Sequence, residues 1–227
     1  MLVREGRVAL RGKKVFDPEE RTFENDSITV DGNEIGHATL AYFMMNKPRG
    51  YVTTAKDEKD RLTVMDLFRE QHTKLYPGKP VPHISPVGRL DKASEGLLLF
   101  SNDTKWADSL LDHQNDAKKA HLKIYRVQIS GHISKENLQR MVSGMNVPPR
   151  IFGEKPEFMH AVSAKIFQGS EKNCWLEVAL DEGKNREIRR MLKELGHDVL
   201  RLIRIKFCNY ELGNLKSGEI REIKIHP

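Results

Sequence analysis

The stretch PVGRLDKASEGLLLFSND, Pro86 to Asp103, decides how this chain is read. A carboxylate, Asp91, follows Gly88-Arg89-Leu90; a short polar turn, Lys92 to Gly96, comes next, and then four apolar residues, Leu97 to Phe100. An apolar run bounded by turn residues predicts a buried strand over 97–101, which anchors the motif in a sheet. Asp91 has two readings. It is either a turn residue paired with Arg89 or Lys92, or a carboxylate placed to do chemistry.

Working outward, Tyr42 to Met45 reads as an apolar strand that ends in the basic turn Asn46-Lys47-Pro48-Arg49-Gly50. TVMDLFREQH predicts a short helix, with Thr63 as N-cap and Val64, Leu67 and Phe68 as its apolar stripe. The proline-rich YPGKPVPHISPVG is expected to be loop, and TKWADSLLD helix. In HLKIYRVQISG, Tyr125, Val127 and Ile129 share one strand face. SKENLQRMVSG predicts a helix capped by Ser134, and CWLEVAL a strand with Cys174, Leu176, Val178 and Leu180 facing one way. A helix is expected from Asn185 to Leu195, closed by Gly196, followed by a strand; LKSGEIREIKI reads as a hairpin or a closing strand. Residues 1–36 form a small β-rich appendage, with a strand at Ile28 to Val30 and an Asp31-Gly32 hairpin turn. The pattern lacks a strict βαβ rhythm. It predicts an α+β fold with a large, mixed, mainly antiparallel sheet flanked by helices.

The chain has 227 residues with 38 Lys and Arg against 32 Asp and Glu, a formal charge of +6, which permits nucleic-acid binding. No apolar run approaches the roughly 18 residues that span a bilayer. No membrane association and no secretory signal are expected, and a cytoplasmic location follows. The cysteines, Cys174 and Cys208, form no C-x-x-C pair and read as reduced thiols. The histidines show no metal-ligand spacing, so no metal is expected.

Three constellations carry chemistry. On the helix after Asn185, Ile188, Met191, Leu192 and Leu195 form the buried side, while Arg186, Arg189, Arg190 and Lys193 lie on or beside the other. Either this is a solvated basic face, or, with Lys184 in the preceding EGKN turn, it is a site for phosphates. The next strand adds Arg204 to these substrate- or RNA-binding candidates; in phase with Leu202, it is expected to be partly buried and therefore to need an acidic partner. Lys47 and Arg49 in NKPRG could reach phosphates. Asp91 is the third: a carboxylate held by an arginine stays ionised and can act as a nucleophile.

GRLDKASEGLLLFSND closely resembles the catalytic motif of the bacterial ribosomal-RNA pseudouridine synthases with an R-L-D signature. YFMMNKPRGYV, EGKNREIRRMLKELGHDVLRLIRIKF and LGNLKSGEIREI fall in that family's order, so the resemblance covers roughly residues 42–223. It implies the pseudouridine synthase fold over 40–227 and isomerisation of uridine to pseudouridine without cofactor or metal. It implies roles as well. Asp91 is the catalytic aspartate. Tyr125 packs on the target base and is a candidate for proton transfer at C5. Arg189 ion-pairs with the aspartate. Arg89 inserts into the RNA and opens the base, Leu202 lines the uracil pocket, and Asn46 and Lys47 form a turn near the site. The base must leave its stack, and an aromatic platform with basic residues suits that task.

The implied partner is ribosomal RNA or a ribosome assembly intermediate, with 23S favoured over 16S because NREIRRM and LKSGEIREI fit large-subunit relatives best. A monomer is expected. Residues 1–36 resemble only the later, β-rich half of an S4-type RNA-binding domain. Two departures stand out: Glu187 where a Gln is common, and Cys208 where a Gly is usual. Two competing readings remain. One is a non-catalytic RNA-binding or ribosome-assembly module; the other is an Asp-dependent hydrolase, a class that commonly uses two carboxylates, with Glu95 the nearest second one.

Overall fold

The structure is a computed structural model that describes residues 2–23, 25–36, 39–54, 60–112, 121–151, 153–169 and 172–225. The chain divides into two compact units, Met1–Thr39 and Leu40–Pro227. The first holds β1 (Val8–Leu10), β2 (Lys13–Val15), β3 (Ile28–Val30) and β4 (Asn33–Glu34) in one sheet of order β2-β1-β3-β4. Asp31 and Gly32 connect β3 to β4 with φ of 52° and 82°, the positive values that a tight two-residue hairpin turn requires.

The second unit runs β5 (Tyr42–Lys47), α1 (Val64–Leu75), β6 (Ser85–Val87), β7 (Glu95–Ser101), α2 (Thr104–Leu111), β8 (Lys123–Ser130), α3 (Lys135–Ser143), β9 (Met145–Val147), β10 (Glu157–Met159), β11 (Ser163–Gly169), β12 (Asn173–Leu180), α4 (Glu187–Glu194), β13 (Val199–Phe207), β14 (Tyr210–Glu211) and β15 (Ile220–Glu222). Among the described residues, a nine-stranded sheet follows the order β11-β12-β8-β13-β7-β5-β15, with β14 on β13 and β6 on β7. Its pairings are antiparallel except β13 with β7. The α+β architecture expected from the sequence is the one observed.

Strand β7 lies between two cores, which explains why Leu97 to Phe100 are all apolar rather than alternating. Leu98 and Phe100 join Phe43, Met45, Tyr125, Val127 and Leu202 on one side, covered by α1, α3 and α4. Leu97 and Leu99 join Met44 and Phe207 on the other, where Trp106 and Leu110 of α2 pack. Thr63 caps α1 in a reciprocal capping box with Asp66, and Ser134 caps α3. Both cysteines are free and buried.

Three local expectations are corrected. Ser85–Val87 lies inside the stretch read as loop, yet it pairs with β7 as β6; Pro86 is tolerated because β6 is an edge strand. Strands β9 to β11 were not anticipated. The last helix begins at Glu187 rather than Asn185, because Arg186 takes a left-handed conformation, φ 53°, at its cap.

Candidate active site

The R-L-D motif forms the connection between β6 and β7. From Leu90 to Ser94, each carbonyl accepts a hydrogen bond from elsewhere in the fold. The Thr53 hydroxyl donates to Leu90 O at 2.7 Å and accepts from Leu90 N–H at 3.2 Å. Lys47 Nζ donates to Asp91 O at 3.1 Å and to Ser94 O at 2.8 Å. Gly50 N–H donates to Lys92 O at 2.8 Å, and Arg189 Nη2 to Ala93 O at 3.1 Å. A turn held at every carbonyl presents its one acidic side chain in a fixed place, which is what positioned chemistry demands.

Lys47 is in phase with Phe43 and Met45 on β5 and is wholly buried, so it cannot contact phosphates as the sequence suggested. Burial pulls its ammonium down to about 8, partly opposed by the Asp91 and Glu95 carboxylates. Its role is to clamp the turn. Asn46 is likewise turned to the scaffold, donating from Nδ2 to Leu215 O at 2.7 Å. Arg49 donates to Leu200 O at 3.2 Å.

The Asp91 carboxylate borders a cavity of about 290 Å³ with Arg89, Tyr125, Arg186, Leu202 and Arg204 among its walls. Tyr125 and Arg204 sit opposite each other on β8 and β13, as do Val127 and Leu202, so this sheet face forms the floor. Arg186 Nη1 lies 3.5 Å from Asp91 Oδ2. This corrects the expectation that Arg189 supplies the ion pair: Arg189 donates instead to Ala93 O and, at 3.3 Å, to Val199 O. The left-handed Arg186 directs its side chain from the helix cap, a turn ahead of the position the sequence pointed to.

Arg204 is buried, as expected from its phase with Leu202, but among the described residues it has no acidic partner: Nε donates to Leu97 O at 2.8 Å and Nη2 has no hydrogen-bond partner. Lys123, two residues before Tyr125 on the same face, is the second buried cation lining the cavity; it was not singled out from the sequence, although its alternation with Tyr125, Val127 and Ile129 was the available signal. Glu187 also lines the cavity, 2% exposed, with Oε2 accepting from Lys184 N–H at 3.1 Å. Burial first, and then the Glu182 carboxylate, push it up to about 8. The shift favours the neutral form of the Glu187 carboxyl.

The basic residues around α4 have unequal freedom. Arg190 is paired with Glu157 at 2.6 Å and donates to Pro148 O. Lys184 is held by Glu182 and Phe158 O. Lys193 contacts Asp198 at 3.2 Å but is 76% exposed. A second cavity, about 310 Å³, lies between Pro148 to Arg150 and the arginines of α4. Glu95 does not border the Asp91 cavity among the residues that line it; Arg201 grips it through two bonds, 3.1 and 2.8 Å. That weakens the two-carboxylate hydrolase reading. Cys208 has φ 52°, the positive value that explains why glycine suits this position.

A turn-borne carboxylate beside an aromatic on a mainly antiparallel sheet defines a class, and the comparisons agree: residues 41–194 match the RNA pseudouridylate synthase family. The chain belongs to the RNA pseudouridine synthase family. It is 30% identical over 227 residues to ribosomal large subunit pseudouridine synthase B of Bacillus subtilis (strain 168), covering 99% of this chain and 85% of that protein. It is 33% identical over 228 residues to an RNA pseudouridine synthase of Rickettsia conorii, covering 98% and 87%. A solved structure described as the crystal structure of pseudouridylate synthase has the same fold, with TM-score 0.62 at 24% identity over 98% of this chain and 87% of that one.

Proposed function

We propose that this enzyme isomerises one uridine of ribosomal RNA to pseudouridine, with 23S RNA favoured over 16S, using Asp91 as its catalytic carboxylate and no cofactor. The observation that carries the reading is the Asp91 side chain, held on a fully tied turn, opening into a cavity with Tyr125 and paired with Arg186. The large-subunit preference is supported by the name of the Bacillus subtilis relative, a ribosomal large subunit pseudouridine synthase. In the reaction the C1′–N1 bond breaks, the uracil turns over, and C5 bonds to C1′. Asp91 attacks the nucleoside or takes a proton from it; Tyr125 supports the displaced base; exposed Arg89 enters the RNA.

The groove along α4, with Arg186 and Lys193, carries the phosphate backbone, and Arg186→Ala or Lys193→Ala flattens the salt dependence of RNA binding by close to one counterion each. The enzyme acts as a cytoplasmic monomer, and residues 1–36 act as a partial S4-like RNA-binding segment. Tritium release from 5-tritiated uridine in 16S and 23S transcripts tests the assignment. Asp91→Ala is expected to release none while keeping its fold and RNA affinity. Full release by that variant overturns the role of Asp91, and mapping pseudouridines in rRNA with and without the gene fixes the subunit.

A further inference from the structure

The floor of the Asp91 cavity holds two buried cations that the steps above leave unused. Lys123 is 6% exposed and Arg204 2%. They sit on neighbouring strands, on the face that carries Tyr125: Tyr125 lies opposite Arg204, and Lys123 opposite Phe207. Both stand over the Phe207 ring, at 5.7 and 4.8 Å from its centroid. They feel each other's charge, since Lys123 is drawn below the ordinary lysine value by burial first and by Arg204 second. Lys123 has one long contact, Nζ to Glu182 O at 3.4 Å, and Arg204 Nη2 has none. The Glu187 and Asp181 carboxylates act on Lys123 in the opposite sense and more weakly than burial and Arg204, and among the described residues neither forms an ion pair or hydrogen bond with Lys123 or Arg204. A buried cation with an unmade hydrogen bond is costly. A site that keeps two of them beside a reacting nucleoside is built for negative charge that arrives during the reaction.

We propose that the Arg204 guanidinium and Lys123 Nζ bind the carbonyl oxygens of the departing uracil and stabilise its negative charge as the C1′–N1 bond breaks. This rests on the pseudouridine synthase reading of the cavity. The electrons of the broken bond leave with the base, which keeps its N3–H and spreads the charge over O2 and O4. After the base turns, a ring electron pair at C5 forms the new bond to C1′. The C5 proton is then lost and N1 gains one, so product and substrate are isomers and no other reagent is required. Donors fixed in place before charge develops act on the transition state more than on the neutral substrate. Arg204 and Lys123 are thereby assigned as catalytic residues, distinct from the phosphate-binding arginines of α4.

The test uses the full chain with Arg204→Gln, Arg204→Lys and Lys123→Gln, under single-turnover conditions, on 16S and 23S transcripts carrying either 5-tritiated uridine or 5-fluorouridine. Tritium release reads the first; nuclease digestion and mass spectrometry read conversion of the second to its C-glycoside. Each Gln variant should lose roughly 10²–10³-fold in rate, the range for removing one oxyanion donor, with RNA affinity kept and Arg204→Lys intermediate. Fluorine stabilises the departing anion, so the deficit of each variant should shrink at least tenfold on 5-fluorouridine. An equal deficit on both substrates overturns the proposal. So does a loss of RNA affinity with the chemical step intact, which places a phosphate there instead. If Arg204→Gln fails to fold by circular dichroism, Lys123→Gln decides alone. Absence of release by the unsubstituted enzyme overturns the parent assignment, a result separate from any of these.

Discussion

Arg186 Nη1 lies 3.5 Å from Asp91 Oδ2, whereas Arg189, one turn further along α4, grips the backbone on which Asp91 stands. Two arginines thus divide what the sequence assigned to one. The division predicts different failures. Arg186 is 47% exposed and its pairing contributes little to stability, so Arg186→Ala should leave the melting temperature within about 2 °C while slowing pseudouridine formation. Arg189→Ala strips donors from Ala93 O and Val199 O and should cost about 1–3 kcal/mol of stability as well as activity. Thermal melts beside tritium release distinguish the two; equal destabilisation by both substitutions contradicts the division.

Lys47 is the other anchor of the turn. Lys47→Met fills the same space but leaves Pro48 O and Ser94 O without its donated bonds, and Asp91 O with only Ser94 N–H at 2.9 Å. The expected loss is about 1–3 kcal/mol. Because the turn loosens while the RNA surface is untouched, kcat should fall with little change in KM. A variant that loses RNA affinity and keeps kcat shows that Lys47 meets the substrate.

Much of this was legible because periodicity reports burial. Tyr125, Val127 and Ile129 in β8, and Cys174, Leu176 and Val178 in β12, were assigned to the correct face from alternation alone. The same alternation holds Lys47 with Met45, and Lys123 with Tyr125, yet a lysine is read as exposed unless its phase is trusted over its charge. The partner of Asp91 was not legible. The choice between Arg186 and Arg189 turns on a left-handed cap residue, and nothing in an arginine's chemistry announces positive φ. Short strands such as β9 and β10, three residues each, carry too little pattern to be seen, and Pro86 masked β6.

The contact of β7 with β13 makes a sharp demand at one glycine. Gly96 has φ 102°, and a Cβ there would lie 2.3 Å from Arg204 O and 2.7 Å from Arg204 N. The obstruction is backbone, with no flexible end to move aside. Gly96→Ala should therefore lose at least about 3 kcal/mol, from strained φ together with overpacking. Denaturant melts check this; a shift below about 1 kcal/mol shows that the parallel pairing can slide apart at little cost.

Glu187 gives the stability of this chain a pH dependence. Its carboxyl is pushed from an ordinary 4.5 to about 8 by burial, with the Glu182 carboxylate adding to the shift and the Lys184 N–H and ammonium opposing it. Between those values the folded chain keeps a proton that the unfolded chain has released. Stability from this group is therefore full below about 4.5, declines as pH rises through the window, and levels off above about 8. Glu187→Gln supplies a neutral side chain of the same shape at every pH. The melting temperature of the variant minus that of the parent should grow from pH 5 to pH 8.5, reaching several degrees if the shift is fully expressed. Differential scanning calorimetry of both proteins across that range is the measurement, and parallel curves would mean that Glu187 is ionised in the fold and balanced by Lys123, whose Nζ lines the same cavity.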